Sequence, residues 1–64
     1  MGRTYYIDIQ EQTPNGGRYL TQYSASEMDE MFSEAQMTAL AAGDTVTLGL
    51  SRFTDVQAFM DSRA

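Results

Sequence analysis

The chain has 64 residues, with nine acids against four basic residues, no cysteine and no histidine, and a formal net charge of −5. That length holds one small domain, 1–64, around one core, and without thiols or imidazoles neither a disulfide nor a zinc site can reinforce it. The acidic balance works against direct contact with nucleic acid or an anionic membrane. The partner to expect is therefore another protein.

Met1, Gly2 and Arg3 run into a strand-like segment with no apolar h-region. No apolar run approaches the length that spans a bilayer. A cytoplasmic protein is expected. Every basic residue is an arginine, and nothing in the sequence supplies a mechanism for that bias.

Residues 4–10 place Tyr5, Ile7 and Ile9 on one face and Tyr6, Asp8 and Gln10 on the other, the two-residue period of a half-buried strand. Pro14, Asn15, Gly16 and Gly17 follow, and this cluster suits a hairpin tip. Residues 18–23 return as a second strand, with Tyr19 and Tyr23 expected to pack inward.

A helix begins next. Ser24 with Glu27 forms a capping-box pattern, and Ser26 with Asp29 offers a later start. Met28, Met31, Phe32, Ala35, Ala39 and Leu40 recur at spacings of three and four as one apolar stripe, and Gly43 is the natural stop. Ser33 with Gln36 could instead cap a second short helix, with Met37 off the main stripe.

Residues 44–51 alternate Val46, Leu48 and Leu50 against Thr45, Thr47 and Gly49 as a third strand. Arg52 and Phe53 fall in the joint that follows. Thr54 and Gln57 make a further capping box, opening a helix over 55–63 with Val56, Phe59 and Met60 on its inner side and Asp55 at its dipole. The expected fold is α+β: a β-β-α-β-α chain with a three-stranded antiparallel sheet of order 2-1-3 and the helices packed on one face. The other face stays open.

Histidine, cysteine and lysine most often serve as nucleophile, acid or base, and none is present. A domain this small also has little room for an enclosing cleft. The chain is read as a non-enzyme with no cofactor. It has no D-x-D-x-D-G loop, and Asp29-Glu30 is an ordinary helical pair, so no metal site is expected.

Glu27, Glu30 and Glu34 fall at i, i+3 and i+7 with Asp29 at their edge, which would line them along one side of a helix for about 10 Å. No base lies within four positions. Such a row is either the solvated back of an amphipathic helix or a phosphate-like surface for a basic groove. Tyr6, on the open face beside Asp8, is a candidate anchor, or else one of the tyrosines that stiffen a small sheet by cross-strand pairing. Met28, Met31 and Met60 are read as core filling.

This compact, acidic, cysteine-free chain, with its acidic helix of Glu27, Asp29, Glu30 and Glu34, resembles the small anti-CRISPR proteins carried by bacteriophages and other mobile elements. The resemblance covers the whole chain in size and charge and has no signature motif. It implies an inhibitor acting in a bacterial host cell by covering a basic DNA-handling surface of a CRISPR effector such as a type I complex. The contacts would be Glu27, Asp29, Glu30 and Glu34, with Asp8 and Tyr6. Arg3, Arg18, Arg52 and Arg63 would have to lie away from that surface. The rival expectation is a small self-associating structural or interaction module in which the open sheet face or a sheet edge pairs with a second copy; the chain is expected to be a monomer or weak homodimer.

Overall fold

A computed structural model describes residues 2–63. Two long strands, β1 (Thr4–Glu11) and β2 (Arg18–Ser24), precede helices α1 (Ala25–Met31) and α2 (Glu34–Ala41). Strands β3 (Thr45–Leu48) and β4 (Ser51–Asp55) and helix α3 (Val56–Ser62) complete the chain. All neighbouring strands are antiparallel, in the order β2-β1-β4-β3.

The α+β class and the antiparallel sheet agree with expectation; the strand count and strand order do not. The segment expected as one strand over 44–51 folds back on itself after Leu48. Gly49 has φ +60° and Leu50 does not share its sign, the signature of a two-residue type II′ turn with glycine first. Leu48 consequently pairs with Ser51 and Val46 with Phe53. β4 takes the slot beside β1, pairing Ile9 with Phe53 and Ile7 with Asp55, and β3 becomes an edge. Arg52 and Phe53 thus lie within a strand and not in a joint.

Alternation along β1 holds as expected. Ile7 and Ile9 are buried, and they meet Phe53 and Val46 from the sheet and Met28, Phe32 and Leu40 from the helices. Phe32 stands edge-on to Phe53, their ring centroids 5.3 Å apart. Tyr5 and Tyr23 pack partly buried against this cluster. Tyr19 shares their face but is 51% exposed at the sheet edge.

The helical segment divides where Ser33 and Gln36 allow it to. Phe32 ends α1 in an extended conformation, φ −123° and ψ 145°. Ser33 then caps α2: its Oγ accepts from the Gln36 N–H at 3.2 Å, while its own N–H donates to Gln36 Oε1 at 2.8 Å. Ser24 and Glu27 form the matching box on α1. The break resets the helical phase, which is why Ala35 is exposed while Met37 packs against the core. At the other end of α2, Asp44 N–H bonds Ala39 O and Gly43 N–H bonds Leu40 O, each at 3.0 Å. This is a Schellman ending around Gly43, whose φ is +87°.

Asp55, not Thr54, caps α3. Its Oδ1 accepts from the Ala58 N–H at 3.1 Å, while Thr54 Oγ1 bonds Thr45 Oγ1 across the strands. Of the expected inner stripe of α3, Val56 is half-buried, but Phe59 and Met60 are not inner residues. Gln57, Ala58 and Asp61 face α2, and Met60 is 61% exposed with Phe59 partly so. Gly43 explains the turn of the helix, because a Cβ there would lie 2.5 Å from Ser62 Oγ and 3.2 Å from Ala58 O. The backbone of α2's exit fits directly under α3.

Candidate functional site

The core residues of the sheet, Ile7, Ile9, Phe53 and Val46, point toward α1 and α2. By alternation the other face carries Tyr6, Asp8, Gln10, Arg18, Leu20, Gln22, Arg52 and the threonines of β3. The expected site residues therefore divide between two surfaces. Asp8 and Tyr6 belong to the open sheet face, and Glu27, Asp29, Glu30 and Glu34 to the helix layer.

On α1, Met28 is the buried residue. At 100° per residue Glu30 lies nearly opposite it, with Glu27 and Asp29 on its two flanks. All three are exposed. Glu34 belongs to a separate helix, so the unbroken carboxylate row expected along one helix is not built. It sits in the first turn of α2, where the helix dipole favours an anion. Glu27 has a local task as well, since its Oε1 accepts the Ser24 N–H at 2.9 Å. Among the described residues, none of the four acids is within ion-pairing distance of an arginine.

Three of the four arginines are engaged elsewhere, and Arg52 lies on the open sheet face. Arg18 grips Asp8 through Nε at 2.8 and 3.0 Å and through Nη2. The hydrogen bond to Asp8 and its negative charge push the Arg18 guanidinium pKa further up. Arg18 thereby offsets the charge of Asp8 locally. Arg3 approaches buried Asp55 at 3.6 Å and lies 4.4 Å above the Tyr5 ring. Arg63 stacks 4.8 Å above Phe59.

One feature of the charge pattern was legible in the sequence but missed there. Residues 24–44 hold Glu27, Asp29, Glu30, Glu34 and Asp44 with no base, which accounts for the whole net charge of −5. The remaining acids and the four arginines balance. A charge count by segment would have found Asp44 as the fifth member.

The open face carries a shallow polar groove of about 200 Å³ lined by Asp8, Gln10, Arg18, Thr45, Arg52 and Thr54. It offers one carboxylate, Asp8, already held by Arg18. A second crevice of about 150 Å³ between α2 and α3 contains Arg3, Asp55 and Asp61. At the rim of the sheet, Tyr19 donates a 3.4 Å hydrogen bond to Glu11 Oε1. Loss of solvation and the Glu11 charge push the Tyr19 phenol pKa up.

Among the described residues no group of three or more acids is arranged to hold a metal ion. No described helix is long and apolar enough to cross a membrane. No protein family, curated protein or solved structure matches this chain.

Proposed function

We propose that the protein is a non-enzymatic inhibitor that presents its helix layer to a basic, nucleic-acid-handling surface of another protein. A CRISPR effector of type I is the partner class that its resemblance to anti-CRISPR proteins implies. The single observation that supports this most is the segregation of charge: residues 24–44 carry all of the net −5. Arg3, Arg18 and Arg63 engage Asp8, Asp55, Tyr5 and Phe59 instead. An uncompensated anionic layer on a rigid scaffold steers association with a cationic groove and makes it salt-dependent.

The contacts are Glu27, Asp29, Glu30 and Glu34, with Asp44 added. Asp8 and Tyr6 face the opposite way and contribute only to a partner that wraps the molecule. The test is binding to a type I effector complex between about 50 and 500 mM salt, where a surface ion pairing of this kind is progressively screened. Affinity should fall steeply across that range; a flat response removes electrostatic docking. Reversal of Glu30 and Glu34 to lysine should abolish inhibition, while Asp8→Asn should leave it intact.

A further inference from the structure

We propose that β2 is a self-pairing edge through which two copies of this chain join into one continuous eight-stranded sheet. This goes beyond the docking proposal and is independent of it. The four-stranded sheet has two edges, and they differ. β3 is four residues long, closed at one end by the Gly49 turn, and so short an edge templates little. β2 is seven residues long and pairs with β1 without interruption from Ser24 to Arg18. It contains no lysine, proline or bulge, the features that usually blunt an edge. Its one charge, Arg18, is already held by Asp8. Two of the molecule's large exposed apolar side chains lie on it, Tyr19 on the helix side and Leu20, 63% exposed, on the open side.

The hydrogen-bond phase fixes how a second strand would fit. Glu11 N–H bonds Gly17 O at 2.9 Å, so the pairs Ile9 with Tyr19, Ile7 with Thr21 and Tyr5 with Tyr23 are the hydrogen-bonded ones within the sheet. The backbone groups of Leu20 and Gln22 therefore point outward, away from β1. Two antiparallel β2 strands related by a two-fold axis at Thr21 overlap along their full length. Leu20 then exchanges two hydrogen bonds with Gln22 of the second copy, and Gln22 two with its Leu20. Tyr19 packs beside the other copy's Tyr23 in the closer, non-hydrogen-bonded pairing, where aromatic neighbours contribute most. Thr21 meets Thr21, a favourable pair. Opposed residues in an antiparallel pair share a face, so both helix layers lie on one side of the joined sheet. An interface of this length falls at the small end of specific contacts, below about 1,200 Å², and a micromolar dissociation constant is expected.

Sedimentation velocity on the full chain from about 1 to 200 µM should show a concentration-dependent dimer. Gln22→Pro removes an N–H that β1 does not use, and Leu20→Lys places a charge at the seam. Each should weaken dimerisation at least tenfold. Leu20→Lys keeps the test independent of any effect of proline on folding. In the wild type, the Leu20 and Gln22 amides should gain protection from hydrogen exchange as concentration rises. A monomer throughout the range overturns the proposal, as does a dimer that survives Leu20→Lys. A dimer broken instead by Arg52→Glu, on the open face, overturns it in favour of face-to-face packing.

Discussion

The α1–α2 pair and α3 begin alike, each with a polar side chain bonded to the third backbone N–H of its helix, and they end as different kinds of element. α1 and α2 insert Met28 and Leu40, with Phe32 between them, into the single core. α3 buries no side chain fully. It is fastened by Asp55 beneath it and by the close fit of Gly43 against Ala58 and Ser62. A capping signal therefore says where a helix starts but nothing about how deeply it is seated. The deeply seated pair also carries four of the five uncompensated acids of residues 24–44, so most of the acidic surface rests on helices that fill the core.

Substitutions can break that contrast in order of size. Leu40→Ala should cost about 2–5 kcal/mol by leaving a cavity under α2, enough to unfold much of a small domain, as urea titration would show. Gly43→Ala combines a positive φ with a Cβ 2.5 Å from Ser62 Oγ and should cost about 1–3 kcal/mol. Adding Ser62→Ala should recover part of that loss, measured as a non-zero coupling in a double-mutant cycle. Ser33→Ala deletes one cap and should cost about 1 kcal/mol, read by the same titration. Met60→Ser on α3 should change stability by less than about 0.5 kcal/mol. A large loss there would mean that α3 is held by its apolar side after all.

Much of the fold was legible because local chemistry and tertiary packing agreed. Tyr5, Ile7 and Ile9 alternate cleanly, Pro14 and Asn15 form the turn that closes the first hairpin, with Gly16 N–H bonding Thr13 O, and Ser33 with Gln36 marked the helix break as an option. What escaped was a conflict between two signals. Val46, Leu48 and Leu50 keep an unbroken two-residue period, and that period hid a turn which only the positive φ available to Gly49 permits. Missing it displaced Phe53 from the core to a linker and changed the strand order. In α3 the spacing of Val56, Phe59 and Met60 predicted an inner face. The seat is instead set by the small residues Ala58 and Gly43, whose role is steric and leaves no periodic trace.

The candidate site was legible residue by residue and not as a surface. Glu27, Asp29, Glu30 and Glu34 are all exposed, but the break at Phe32 places Glu34 on its own helix. Asp8 and Tyr6 lie across the sheet because strand alternation and layer order together decide which side faces outward. Asp8 further depended on Arg18, ten residues away and two strand positions from its direct partner Leu20.

The interruption at Phe32 and Ser33 has a consequence for any attempt to excise the acidic region. With seven and eight residues, each of the two helices is shorter than the roughly 12–15 residues at which an isolated helix becomes even marginal in water. A synthetic peptide covering residues 24–44 would therefore be a coil by circular dichroism, with its carboxylates unplaced. Ile7, Ile9 and Phe53, on strands outside that segment, help determine where that charge is held.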